Sequence, residues 1–183
     1  MLLGYAIESI TGKSFADFVH DEFALPLGLI DTGVCGTSNL PLPEGYGLVP
    51  NGAWVRMRPW HPSFVWSSGS LCSTVSDLAR WSHLLATGHA MLPVSCATMT
   101  TPARLENNTI APNGYAFGVV TQKILGRPAV SHAGAIDGFQ SFLVYFSNQD
   151  VAIAVVTNAF PAPAAGDPQL IAMTVAKAAL PAL

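Results

Sequence analysis

Charge is scarce in this chain. Only 10% of its 183 residues are Asp, Glu, Lys or Arg, and the formal net charge is −3. With no basic run and no block of like charge, it lacks the electrostatic footprint of nucleic-acid or anionic-membrane binding. Long apolar runs are missing too. Pro, Gly or a charge interrupts each apolar stretch, so no membrane-spanning helix is expected. Residues 1–8 have no basic start and meet Glu8 too early to read as a secretory signal. Cysteine is sparse, with residues at 35, 72 and 96. An odd count at wide spacing fits neither a disulfide framework nor a zinc pattern. A pair could form, but all three are expected to be reduced and to behave as small buried apolar residues. His-Glu-x-x-His and a glycine-rich phosphate loop are absent, so no metal and no cofactor are expected.

What the chain has instead is apolar residue. Half of it is hydrophobic, and its length suffices for one ordinary domain with a core. A chain this uncharged either buries much of itself or presents surface that a partner would cover. Self-association through exposed apolar surface is therefore expected.

The residue pattern changes near position 102. Residues 1–102 read as a helical and loop portion. Leu2, Leu3, Ala6, Ile7 and Ile10 fall at helical spacing, with Gly12 as C-cap. Ser14-Phe-Ala-Asp17 has capping-box form. Phe15, Phe18, Val19 and Phe23 then make the apolar face of a second helix, which Pro26-Leu-Gly28 stops. Residues 33–70, rich in Gly, Pro, Asn and Ser, read as long irregular loops. Thr74-Val-Ser-Asp77 opens a third helix with Leu78, Trp81, Leu84 and Leu85 as its stripe, and a short helix follows at 94–100. Residues 103–183 read as strands and a closing helix. Runs at 115–124, 129–132, 140–145 and 151–157, separated by turns, predict an antiparallel meander. Asp167-Pro168 starts the last helix, with Leu170, Ile171, Val175 and Ala178 on one side. The expected class is α+β: helices and long loops, then an antiparallel sheet and a C-terminal helix.

One tripeptide carries chemistry. His132-Ala133-Gly134 leads out of an apolar strand towards a hairpin turn at Asp137-Gly138. It resembles the third active-site element of penicillin-recognising serine hydrolases, usually Lys-Thr-Gly. Further segments are similar to the same group in the same order. Leu2-Leu-Gly-Tyr-Ala-Ile-Glu-Ser-Ile-Thr-Gly-Lys-Ser-Phe15 looks like the helix pair after its Tyr-Ser-Asn motif. Leu25-Pro-Leu-Gly-Leu-Ile-Asp-Thr32 is similar to its "PLGM-x-x-T" segment, and Gly69-Ser-Leu-Cys-Ser-Thr-Val-Ser-Asp-Leu-Ala-Arg80 to its "GG-x-x-ST-x-x-D-x-A-R" helix start. Gly138-Phe139 and Thr157-Asn158 match its closing strands. The chain thus resembles class C β-lactamases, D-alanyl-D-alanine carboxypeptidases and related esterases.

The resemblance implies part of a β-lactamase/transpeptidase-like fold. It also implies acyl-enzyme chemistry on an ester, β-lactam or D-amino-acid amide, with a small-molecule ester or amide as partner. By this likeness His132 faces the cavity, binding a substrate carboxylate or steering a proton. Ala135 supplies a backbone N–H to the oxyanion hole, and Ala133 and Gly134 lie against the substrate. Ala133 lacks the hydroxyl of the usual Thr, which tilts the expectation towards an esterase. The departures are as informative. The chain has no Ser-x-x-Lys, and neither Tyr-x-Asn nor Ser-x-Asn. The nearest form, Thr174-Val-Ala-Lys177, falls in the terminal helix. By analogy the missing elements precede Met1, so the expectation is the C-terminal portion of a longer hydrolase, inactive by itself. The rival expectation is a non-catalytic binding or regulatory homologue, or a degenerate gene product.

Other candidates read as ordinary structure. His20-Asp21-Glu22 reads as a solvated helix end, because adjacent helical residues face different directions. His83 and His89 lack the spacing of a helical zinc pair. Asp77 reads as a cap and Asp137-Gly138 as a turn. Trp54, Trp60, His61 and Trp66 either line a pocket for an acyl chain or cover the core.

Overall fold

The computed structural model describes residues 1–37, 41–161 and 163–180. Residues 38–40, within the stretch expected to be loop, lie outside the described residues, as do 162 and 181–183. The first helix, α1 (Leu2–Thr11), ends at Gly12, whose φ of 70° and N–H bonded to the Glu8 carbonyl make the left-handed C-cap. Ser14 caps α2 (Phe15–Val19) by accepting the Asp17 N–H at 3.1 Å, and the helix continues as a π turn, His20–Ala24. Phe15 and Val19 are buried with Val34, but Leu2, Leu3 and Ile10 of α1 are each about four-fifths exposed. The helical period of α1 was legible; its burial was not.

Residues 33–70 are more ordered than their composition predicts. β1 (Gly33–Val34) pairs antiparallel with β4 (Leu71–Cys72), and β2 (Tyr46–Leu48) with β3 (Trp54–Arg56). A single turn, α3 (Pro62–Val65), lies between them. Gly33 stands opposite Cys72, which brings Cys35 and Cys72 to a Cα separation of 5.1 Å, and they form a disulfide. This corrects the expectation of three reduced thiols. The short β1–β4 pairing that aligns the two residues has no signal in cysteine spacing. Cys96 is free and buried, as expected.

Thr74 caps α4 (Val75–Ala86), and α5 (Pro93–Thr100) follows. The strands then form one sheet in sequence order: β5 (Val120–Ile124), β6 (Arg127–Ile136), β7 (Phe139–Phe146) and β8 (Val151–Thr157), all antiparallel. β5 is shorter than its sequence signal, because residues 112–119 turn before it. β6 is longer, and runs through His132-Ala-Gly to Ile136. The tripeptide expected at a strand end therefore lies inside a strand. The closing helix, α6 (Pro168–Ala179), starts at Asp167, which accepts the N–H groups of Gln169 and Leu170. Its buried stripe is Ala172 and Ala176, while Leu170, Val175 and Ala178 are exposed. The small residues win because α6 packs closely on the sheet against Phe142, Val144 and Phe146.

Strand alternation divides the sheet into two faces. Ala129, Phe142, Val144, Phe146, Ile153 and Val155 meet α6. Val130 and Leu143 lie on the other face, towards α4. Among the described residues no helix is long and apolar enough to cross a membrane. At the far end of the sheet Tyr145, 4% exposed, donates its hydroxyl to Asp150 Oδ1 at 2.8 Å, and His83 Nδ1 of α4 lies 3.2 Å from that oxygen.

Two predictions follow from this packing. Burial first, and then the hydrogen bond to Asp150, push the Tyr145 phenol up to about 12. The folded state thus holds this proton more tightly than the unfolded chain. Its contribution is complete below about pH 10 and is lost as pH rises towards 12, on the order of 2 kcal/mol over that window. Denaturant melts should show Tyr145→Phe losing less stability than the parent over that window. Separately, intact mass before and after reduction should show one disulfide. Breaking it by Cys35→Ser with Cys72→Ser should lower stability by about 3–4 kcal/mol on chain-entropy grounds. A melt insensitive to reduction would contradict the pairing.

Candidate active site

His132 is placed by two ladders. It stands opposite Leu143 of β7, and its neighbour Ser131 stands opposite Val120, the first residue of β5. Alternation turns the imidazole towards α4, where it lines a cavity of about 160 Å³ with Trp81, Leu85, Met99, Val119 and Leu143. The Tyr115 ring approaches the imidazole edge-on, with centroids 6.3 Å apart. Ala133 and Ala135 alternate to the opposite face. Gly134 shares the His132 face, opposite Ser141; a Cβ there would lie 2.7 Å from Ser141 Oγ.

The backbone of this segment is as informative as its side chains. β6 and β7 join through the two residues Asp137 and Gly138, with Ile136 opposite Phe139, so the even-numbered residues of β6 exchange hydrogen bonds with β7. The hairpin at Leu125-Gly126, with φ of 51° and 76°, sets the complementary parity, and the odd-numbered residues bond to β5. β5 starts opposite Ser131. Among the described residues no strand pairs with β6 beyond that point on the β5 side. The N–H and C=O groups of Ala133 and Ala135 therefore face an open edge, and both residues are exposed. This edge lies beside the His132 cavity.

A second segment fixes the hairpin tip. Gly45 and Gly138 approach so closely that a Cβ on either would lie 2.9 Å from the other's Cα, and Gly138 also needs φ +85°. The contact is stitched by backbone bonds from Tyr46 N to the Asn158 carbonyl (2.9 Å), Phe160 N to the Tyr46 carbonyl (2.8 Å) and Gly138 N to the Phe160 carbonyl (2.9 Å). Asn158 Nδ2 adds a bond to the Glu44 carbonyl at 2.9 Å. Gly138 and Asn158, two of the residues that carried the sequence resemblance, thus hold the 44–48 segment. The Tyr46 hydroxyl donates to Glu44 Oε2, which raises its pKa, and Glu44 Oε1 pairs with Arg56 at 2.9 Å. Sequence reading missed Gly45 and Ser141, which lack any motif of their own.

The remaining candidates separate. The Asp77 side chain, read as a cap, instead reaches across to the segment before β1. Buried, it accepts the Asp31 N–H at 2.9 Å and the Thr32 hydroxyl at 2.8 Å, while Thr32 also meets Ser73 Oγ at 2.7 Å. Arg80 Nε donates to the Leu27 carbonyl at 2.6 Å. The segments 25–32 and 69–80 are therefore two sides of one contact. His20 pairs with Asp21, and Lys13 bridges Asp21 and Glu22 at 3.0 and 2.9 Å. His20 first and then Lys13 hold the Asp21 carboxyl below its usual range. Among the described residues no cluster of His, Cys, Asp and Glu could hold a metal. The tryptophans do not converge: Trp66 packs on Tyr5 and Phe15, Trp60 stacks on Phe64 at 4.3 Å, and Trp54 is half exposed.

Comparison with known proteins gives a consistent picture. The family model described as Beta-lactamase matches residues 1–176. The D-aminopeptidase of Gluconobacter oxydans is 22% identical over 93% of this chain and 32% of its own length. A D-stereospecific amidohydrolase from Streptomyces sp. superposes with a TM-score of 0.79 at 26% identity, over 98% of this chain and 52% of that one. The octameric penicillin-binding protein homologue from Pyrococcus abyssi shares the fold, with a TM-score of 0.80 at 24% identity over 97% of this chain and 40% of that one. The chain spans about a third of the length of the curated relatives it matches.

The Gly134–Ser141 contact is testable without activity. Gly134→Ala should destabilise the chain by roughly 1 kcal/mol as the Ser141 hydroxyl is displaced. Ser141→Ala should recover most of that loss, so the double-mutant cycle should show coupling. Additive effects would mean the two positions do not share space.

Proposed function

The chain belongs to the Beta-lactamase family, and from that membership we propose that it carries the sheet-edge side of a serine-hydrolase site. Its chemistry is acyl-enzyme formation and hydrolysis on an ester, a β-lactam or an amide of a D-amino acid. The nucleophile comes from a Ser-x-x-Lys turn outside these 183 residues. One observation carries this reading: the open edge of β6 at Ala133 and Ala135, beside a cavity lined by His132.

Each group has a role that its geometry supports. An unpaired strand edge offers backbone donors and acceptors to an extended or planar ligand, as a further strand would. The outward N–H of Ala135 is positioned to donate to a carbonyl oxygen as it becomes an oxyanion, held by a ladder that needs no reorganisation. His132, half-buried on the α4 face, presents an imidazole that can bind a carboxylate or pass a proton. Gly134 keeps the strand thin enough for Ser141 to add a hydroxyl on the same face. The case for an ester rested on the hydroxyl that Ala133 lacks relative to the family's usual Thr. Alternation puts the side chain at position 133 on the face opposite His132, so a hydroxyl missing there does not change the lining of the His132 cavity. The printed names of two relatives, D-aminopeptidase and D-stereospecific amidohydrolase, favour an amide of a D-amino acid instead. The absence of Ser-x-x-Lys and Tyr-x-Asn favours a second reading, a non-catalytic homologue that binds the same ligands.

Labelling separates the two. Treated with a labelled fluorophosphonate or penicillin, the 183-residue chain should give no stoichiometric adduct by intact mass. Joined to upstream chain bearing Ser-x-x-Lys and Tyr-x-Asn, it should acylate and turn over. In that longer protein His132→Ala should lower kcat by roughly a hundredfold or more, as expected for loss of about 2–4 kcal/mol at a developing charge. An adduct on the short chain would contradict the assignment of the nucleophile. Unchanged turnover would remove His132 from the mechanism.

A further inference from the structure

The end of the sheet that carries the site is held differently from its middle. Ala129, Phe142, Val144 and Phe146 meet α6, and Val130 and Leu143 lie towards α4. Residues 133–141 belong to none of the buried clusters. β5 pairs with β6 only as far as Ser131. The stretch from Ala133 through the turn to Ser141 therefore lacks the packed side chains that fix the rest of the sheet, and its position depends on another brace. The group that the proposed chemistry needs in one place, the Ala135 N–H, lies on this stretch. Ala135 stands opposite Gln140, and Gln140 opposite Thr157, so one row crosses from β6 to the last residue of β8.

Asn158 follows that row and meets the 44–46 segment twice. Its carbonyl accepts the Tyr46 N–H, and its Nδ2 donates to the Glu44 carbonyl, both at 2.9 Å. Tyr46 forms a parallel bridge with Ala159. In a regular parallel ladder of that register the backbone N–H of residue 158 would bond the carbonyl of residue 44. Here the Asn158 side chain reaches that carbonyl. Gly45 in turn lies against Gly138, its carbonyl accepts the Met57 N–H at 2.8 Å, and the Gly138 N–H bonds the Phe160 carbonyl. The contacts close a ring: from Ala135 across the sheet to Asn158, from Asn158 to the 44–46 segment, from Gly45 to Gly138, and from Gly138 back along β6 to Ala135.

We propose that Asn158 is a positioning residue for the hydrolase site, holding the Ala135 N–H in line through the 44–46 segment and the hairpin tip. The proposal rests on the reading of Ala135 as a donor to the developing oxyanion. An amide suits this position because it offers an uncharged donor on a short arm. An ionised carboxylate of the same shape offers acceptors alone and would face the Glu44 carbonyl. Asn158 lies beyond β7 as seen from β6, so it acts on the donor's placement and not on the substrate. A misplaced donor costs most where charge develops on the substrate oxygen, in the transition state, and little in ground-state binding. Asn158 is itself exposed, so losing its side-chain bond costs little global stability.

Asn158→Asp tests this, because it removes the donor and keeps the shape. In the 183-residue chain it should speed hydrogen exchange of the Gly138 N–H roughly tenfold. Ile153 and Val155, inside the β7–β8 ladder, should keep their protection. In the longer protein bearing Ser-x-x-Lys and Tyr-x-Asn it should lower kcat roughly tenfold, with KM within about twofold and the thermal midpoint little changed. Asn158→Ala should give the same pattern. Unchanged exchange at Gly138 overturns the brace. An active longer protein whose kcat is insensitive to both substitutions overturns the positioning role and leaves the hydrolase reading standing. A longer protein that is inactive before substitution overturns the hydrolase reading, and this proposal with it. A fall in kcat matched by a fall in thermal midpoint or by an equal rise in KM overturns the proposal too, since Asn158 would then serve stability or binding instead.

Discussion

The β6–β7 ladder is the constraint on which the rest of this structure depends. Its register, Ile136 opposite Phe139 through Ala129 opposite Phe146, fixes the direction of every side chain and backbone group along both strands. A slip of one residue would put His132 on the same face as Phe142, Val144 and Phe146, so that either the imidazole meets α6 or the three aromatic and branched side chains leave the core. The core and the site are thus set by one choice. The apolar side chains that α6 covers hold the register, and the register aims His132 at the α4 face. The two-residue turn at Asp137-Gly138 closes the ladder, and the Gly45–Gly138 contact leaves no room for the tip to move towards the 44–48 segment.

The long region between α2 and α4 shows how a chain poor in regular structure is kept in place. Buried Asp77 draws in the backbone of Asp31 and the hydroxyl of Thr32; the Cys35–Cys72 disulfide closes the segment between them; Asn158 and Phe160 anchor its middle through backbone atoms. Each tie is polar or covalent, and each joins residues far apart in the sequence. None leaves a hydrophobic period in the sequence. For this reason residues 33–70 read as irregular, although several of them are held as firmly as strand residues.

What was legible followed the physics that leaves a periodic or punctuating trace. Caps were readable at Ser14, Thr74 and Asp167, because a side-chain oxygen three residues or fewer before an orphan N–H is a local device. The meander was readable from β-branched runs and turns. The buried side of α6 was not, because two alanines pack where leucine and valine would not fit, and hydrophobicity alone ranks those residues the other way. At the site, His132 was legible only through a family likeness. The tripeptide was placed at a strand end, whereas the strand continues four residues past His132 to Ile136 and offers its backbone as an edge. That edge exists because β5 begins opposite Ser131, a fact of pairing that no single strand's sequence contains. The disulfide was hidden for the same reason: its partners are aligned by a pairing between residues 33–34 and 71–72.

The composition and the structure explain each other at the surface. Half of the chain is hydrophobic and one-tenth charged, and among the described residues apolar side chains lie outside the buried clusters on α1, on the α5 side at Leu92, Val94 and Phe117, and at Val156 of β8. These patches differ in kind. Side chains on α1 and α5 can be covered by any apolar surface of fitting shape. β8 presents backbone as well, along the row of Ala152, Ala154 and Val156. The β6 edge presents backbone too, but beside a cavity and a titratable side chain, where a small polar ligand can satisfy it. The two edges of the sheet therefore differ in the chemistry beside each: an imidazole next to Ala133 and Ala135, and Tyr145, Leu143 and Ser141 opposite Ala152, Ala154 and Val156.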